Sequence, residues 1–193
     1  MSKYIITSER LSKFEKLAKA GAAQASVSLA AIVGQEVVVS VVENRISLPE
    51  KLYQDIGEAE DMFTVVIFRI DNALNGFAMV VFPEGESTRL FEILADNKKC
   101  EETSIIKEIS NIITGSFLTE IYREVKVSMI QSVPNIATDM IKATMDEVMA
   151  EISQKSENVL VFEAELIINP HSISSKLFLL LDTDSAEKLL KKL

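Results

Sequence analysis

One order of helical and extended segments occurs twice in this chain of 193 residues, and that repetition restricts the architecture more than composition does. Residues 8–33 read as a helix, with Ser8 placed to cap it and Leu11, Phe14, Leu17 and Ala18 at helical spacing. Its middle, from Ala18 to Ala31, is almost entirely small residues, which predicts close packing against the sheet or another helix. Gly34 ends it. Extended runs follow at 36–42, 62–70 and 76–82, the last two joined through Asp71-Asn72 and Asn75-Gly76. Ser87 is placed to cap a short helix over 88–95.

The second half repeats this order. A helix is predicted over 103–122, a strand over 125–133, and, after Pro134 and Asn135, a helix over 136–153. Strands at 159–168 and 176–181 flank Asn169-Pro170, and Asp184 or Ser185 is placed to cap a last short helix. The expectation is one α/β (α+β) domain over 1–193, made of two pseudo-two-fold repeats at about 8–97 and 101–193. Hairpin connections imply a largely antiparallel sheet with helices packed on it.

Composition narrows the chemistry. The chain is 48% hydrophobic and 25% charged with 6 Gly and 4 Pro, which suits a folded domain with ample core material. Its formal charge of −9, from 29 acidic and 20 basic residues, disfavours a nucleic-acid partner, because phosphate binding needs a basic surface. No apolar run approaches the roughly 20 residues of a membrane span, and the first residues lack the apolar core of a secretion signal. The single cysteine, Cys100, excludes an internal disulfide and suits a reducing, cytoplasmic setting. With one histidine as well, no zinc set and no histidine-based nucleophile motif is present. His171, after Asn169-Pro170, reads as a turn residue. No phosphate-binding or dinucleotide-binding glycine pattern occurs.

The stretch SIIKEISN stands apart from this background. Ser104, Glu108 and Asn111 fall at i, i+4 and i+7, so a helix projects a hydroxyl, a carboxylate and a carboxamide from one stripe. Ile105, Ile106, Ile109, Ile112 and Ile113 supply a side for the core. Alone, a Glu and an Asn three apart are ordinary solvated surface. The spacing of Ser104, Glu108, Asn111 and Pro134 together resembles the signature of the CheC and CheX chemotaxis phosphatases, which dephosphorylate the response regulator CheY. Four fixed positions coincide by chance on the order of once in several hundred chains of this length. The duplicated layout extends the resemblance over essentially the whole chain, closer to CheC than to the shorter CheX. FliY-type switch proteins share the module but add domains beyond this length.

The resemblance implies a hydrolase acting on an aspartyl phosphate, with Asn111 orienting the attacking water and Glu108 docking a regulator lysine. Ser104 and Pro134 support the site. No cofactor of its own is implied, since Mg²⁺ is supplied by the regulator. Aligned on Gly21-Ala22-Ala23, the first half carries Ser12, Lys16, Lys19 and Val42 at the signature positions. Lysine neither attracts a basic partner group nor accepts a water's proton, so one working site is expected.

The helix predicted over 136–153 occupies the position at which CheC binds CheD, a receptor deamidase. Ala143, Asp146, Glu147 and Ala150 resemble the small-x-x-acid/amide pair-x-x-small pattern of CheD's receptor sites, Asp146 being a departure from it. Met140, Met145 and Met149 either extend an adaptable apolar surface beside it or pad the helix's core face. A non-catalytic adaptor that binds phosphorylated CheY or CheD is the alternative from another functional class.

Overall fold

The central strands are apolar on alternate residues toward both sides, so the sheet they form has no face left for water. In the computed structural model, which describes residues 8–94 and 101–193, these strands are β2 (Met62–Asn72), β3 (Gly76–Pro83), β6 (Val159–Ile168) and β7 (Ile173–Asp182). They are flanked by β1 (Val37–Ser47), β4 (Met129–Gln131) and β5 (Asn135–Met140). The sheet runs β1-β6-β7-β3-β2-β4, with β5 also on β2, and every pairing is antiparallel. Two hairpins, β2–β3 and β6–β7, meet at the centre through β3 and β7. Each outer strand comes from the other half of the chain: β1 joins β6, while β4 and β5 join β2.

Helices cover both faces. On one side α1 (Ser8–Val33), α2 (Glu86–Leu94), α3 (Glu102–Val125) and α5 (Thr183–Leu190) close over Phe68, Val80, Phe162 and Leu179. On the other, α4 (Ile141–Lys155) and a 3-10 helix (Pro49–Asp55) cover Val65, Met79, Val161 and Phe178. Neighbouring residues of one strand thus enter opposite cores, as the period of 2 requires. This antiparallel sheet is buried like a parallel one, which explains its nearly continuous apolar strands.

The small-residue stretch of α1 packs against α3. A Cβ on Gly21 would stand 2.7 Å from Cδ2 of Phe117 and 3.2 Å from its carbonyl oxygen. Serines fasten the same contact, Ser116 Oγ donating to Ser28 Oγ at 2.8 Å. At the β1 edge, Glu163 is nearly buried and pairs with Arg45 at 3.2 Å and Lys176 at 2.9 Å, linking β1, β6 and β7. Burial opposes the Arg45 charge, but hydrogen bonds and charges from Asp55 and Glu163 outweigh it and raise its pKa above the ordinary arginine value.

The structure corrects several local expectations. The helix expected over 136–153 begins only at Ile141, because Asn135–Met140 pairs with β2 instead. The strand expected over 125–133 is β4 alone, since α3 continues to Val125 and ends at Lys126 in the left-handed region (φ 53°). Ser87 does not cap α2. It lies buried within the helix, its hydroxyl donating to Glu102 at 3.1 Å and standing 3.3 Å from that of Thr64. The cap of α5 is Asp182, which accepts from the Ser185 backbone N–H at 2.7 Å. Ala95, the polar segment after it and Cys100 lie outside the described residues.

Because the Gly21–Phe117 approach leaves no room for a methyl group, Gly21→Ala should destabilise the protein by about 1–3 kcal/mol despite alanine's better helix propensity. Chemical denaturation checks this, and a stabilised variant would contradict it.

Candidate functional site

The phase of α3 is set by its apolar stripe. Ile106, Ile109, Ile113, Phe117 and Ile121 are buried, which turns Ser104 and Glu108 outward and leaves Asn111 half-buried at the border. Ile105 and Ile112 are only partly covered, at the margins of that stripe. The start of α3 is tied to the body of the fold, since Glu102 Oε1 accepts from Ser87 at 3.1 Å and Thr88 at 3.0 Å. Ser87 in turn reaches Thr64 of β2, whose hydroxyl lies 2.9 Å from that of Thr138 on β5.

Pro134 arrives beside this face through a bulge. On β2, Ile70 faces Gln131 and Ile67 faces Asn135, so three steps along β2 meet four along the edge strand. The extra residue lies within Ser132-Val133-Pro134. Two bonds from Ser132 fasten the start of the bulge to Arg69: its N–H donates to Arg69 O at 2.9 Å, and its Oγ accepts from the Arg69 N–H at 3.0 Å. Proline is compatible with this place because an interrupted edge strand has no ladder bond to lose. Val133 is pushed outward to 86% exposure, an unusual state for an apolar side chain.

Helix and bulge together enclose a groove of about 500 Å³ lined by Ser104, Lys107, Glu108, Asn111, Gln131, Ser132, Val133 and Pro134. All four positions of the sequence signature border it. Gln131 and Ser132 also take part, and nothing in the sequence pattern pointed to them. Gln131 Nε2 donates to Asn111 Oδ1 at 2.5 Å. The groove thus offers an exposed carboxylate, a half-buried carboxamide held on one side, and an exposed apolar rim. The carboxamide can accept and donate hydrogen bonds without a shifted pKa, and the carboxylate can pair with a cation. Among the described residues, no three His, Cys, Asp or Glu side chains cluster to hold a metal ion.

The first-half positions are arranged differently. Ser12, Lys16 and Lys19 are exposed on α1, with Lys19 ion-paired to Glu15 at 2.5 Å. The register of β1 against β6 slips between Val41 and Glu43, so Val42 sits at a bulge as Pro134 does; its side chain lies outside the described residues. On α4, Ala143, Asp146, Glu147 and Ala150 share the exposed face. Met145 and Met149 do not join them, because Ile141, Met145, Val148, Met149 and Ile152 turn into the core; of the three methionines only Met140 is exposed. His171 occupies the β6–β7 turn next to the cis Asn169-Pro170 bond, its Nε2 3.2 Å from Gln35 Nε2.

No family model matches the chain. Among curated proteins it is similar to the CheY-P phosphatase CheC of Bacillus subtilis, at 23% identity over 95% of this chain and 93% of that protein. Among solved structures, Thermotoga maritima FliY superposes with a TM-score of 0.76 at 16% identity, covering 98% of each chain. The FliM middle domain from H. pylori superposes with a TM-score of 0.74 at 12% identity, covering 97% of this chain and all of that one. No described helix is long and apolar enough to cross a membrane. The chain is thus similar in sequence to CheC along nearly its whole length and shares its fold with FliY and the FliM middle domain.

Proposed function

We propose that the protein accelerates hydrolysis of the aspartyl phosphate on a CheY-type response regulator, using the α3–bulge groove. The observation that carries this reading is the meeting of Asn111, Glu108 and Pro134 around one open groove, in the spacing of the phosphatase signature. In the reaction a water oxygen attacks phosphorus in line, the P–O bond to the aspartate breaks, and a carboxylate leaves. The Mg²⁺ that neutralises the phosphoryl oxygens belongs to the regulator, so positioning the nucleophile is the remaining task. Asn111 performs it by hydrogen-bonding the water. Glu108, one turn earlier and exposed, pairs with a lysine of the regulator. Ser104 and Pro134 shape the walls. Lys16 and Lys19 offer neither function, and the first half keeps the architecture of the domain without the chemistry. The repeated order of elements is read as an internal duplication.

A second reading is favoured by the likeness to the FliM middle domain: an adaptor that binds phosphorylated regulator without accelerating hydrolysis. Phosphate release with and without the protein separates the two.

Asn111→Ala should abolish stimulated phosphate release while leaving the denaturation midpoint near that of the wild type, because the side chain is only half-buried. Lys16→Ala with Lys19→Ala should leave the rate unchanged. Full activity in Asn111→Ala would remove the proposed role of the amide.

Glu108→Ala should weaken regulator binding by about fivefold at most, the upper end for an exposed ion pair of ~0–1 kcal/mol. The loss should shrink with added salt, and titration at two ionic strengths measures it.

The exposed stripe of Ala143, Asp146, Glu147 and Ala150 is proposed as the contact for a CheD-type deamidase, with no amide at Asp146 or Glu147 to be turned over. Asp146→Arg should abolish co-purification with CheD without affecting phosphate release; unaltered binding would remove this contact.

A further inference from the structure

An asparagine amide at a protein surface rotates broadly about its last torsion, and only one of its orientations serves a given water. Asn111 is not free to do so. Gln131 on β4, half-buried and opposite Ile70 in the ladder, donates from Nε2 to Asn111 Oδ1 at 2.5 Å. The Gln131 side chain crosses α3 over Gly115, one turn beyond Asn111, where a Cβ would already stand 3.8 Å from Nε2 and 4.0 Å from Oε1. A larger residue at 115 would push the glutamine aside. The ladder with β2 fixes the backbone of Gln131, and the Ser132 bonds to Arg69 fix the bulge that follows.

We infer that Gln131 is a positioning residue for Asn111, holding the carboxamide in the one orientation that presents Nδ2 to the groove. This rests on the phosphatase reading above and identifies what makes its water-binding amide directional. The hydrogen bond draws Oδ1 toward β4, leaving one lone pair of that oxygen and both Nδ2 hydrogens for a water in the groove. It also polarises the amide, which strengthens the hydrogen bonds Nδ2 makes. Gln131 touches neither water nor phosphoryl group in this scheme. It acts through Asn111, and its effect belongs in kcat rather than in the affinity for the regulator.

Three variants and one spectrum test this. Gln131→Leu should lower kcat for phosphate release by about tenfold or more, with KM for the regulator unchanged, as expected for a misoriented reacting group. Gly115→Leu, which displaces the glutamine without removing it, should do the same. Gln131→Glu should be equally impaired near neutral pH, where a carboxylate only accepts, and its rate relative to wild type should climb as pH falls toward the carboxyl range of about 4–5, where the protonated group donates. In the free wild-type protein, NMR should show a trans-hydrogen-bond coupling between Gln131 Nε2 and Asn111 Cγ, absent from Gln131→Leu. An unchanged kcat in Gln131→Leu, a loss confined to KM, a flat and fully active pH ratio for Gln131→Glu, or no coupling in the wild type would each overturn the inference. A wild-type protein that accelerates no phosphate release overturns the proposed activity and this role together, while the coupling separately reports whether the amide contact exists.

Discussion

Phe117 lies where the site helix, the neighbouring helix and the sheet come together. Its ring stacks on Phe162 of β6 at 4.8 Å and 16°, and Phe162 meets the edge of Phe14 from α1 at 6.2 Å and 81°. Gly21 passes over the same ring so closely that no side chain fits between them. Aromatic contacts of this kind add about 0.5–1.5 kcal/mol beyond area burial, but their larger effect here is geometric. They fix the rotation of α3. A turn of one residue about the helix axis is about 100°, enough to swing Glu108 against the sheet or Asn111 away from the bulge. The position of every polar group on the site face therefore depends on a contact made on the buried face.

The other wall of the groove depends on the edge of the sheet. β4 and β5 run as one strand along β2, broken by the single extra residue at Ser132-Val133-Pro134. Gln131, opposite Ile70, is turned to α3 by the ordinary pleat of β4, and the bulge after it turns Val133 to solvent and brings Pro134 beside the helix. Bulges re-aim side chains and also protect an edge from adding further strands. The Ser132 hydroxyl supplies an acceptor for the Arg69 N–H, so that donor stays satisfied beside the irregularity.

Much of the fold was legible because its physical causes are local. The isoleucine stripe set the phase of α3, the turn residues at Asp71-Asn72 and Asn75-Gly76 marked a hairpin, and the small residues of α1 foretold a close helix contact. Residues 125–140 were misjudged for the opposite reason. Ile136 to Met140 carries no strong strand preference, and only the ladder with β2, more than sixty residues away in sequence, makes it extended. Met145 and Met149 of α4 both turn into the second core while Met140, at the end of β5, stays exposed, which composition alone does not state. At the candidate site, the spacing of Ser104, Glu108 and Asn111 was visible because helix geometry is regular. Gln131 was not, because its bond to Asn111 spans 20 residues and exists only through the sheet.

The shape of the groove bears on what it can act upon. Pockets for small molecules enclose most of their ligand's surface, whereas here Glu108 stands exposed and Val133 projects into solvent at the rim. Such a surface cannot by itself exclude water or build the low-dielectric surroundings in which phosphoryl charge is stabilised. In the proposed reaction those tasks fall to the partner, whose own phosphorylation site already holds the metal and the phosphoryl group. An amide held at a fixed angle on a rigid helix is then a sufficient contribution, since it completes a reaction centre that the partner has nearly assembled. The apolar rim fits the same division of labour. In the proposed complex Val133 would gain burial as the regulator closes over it, and the same closure would exclude bulk water from around Asn111.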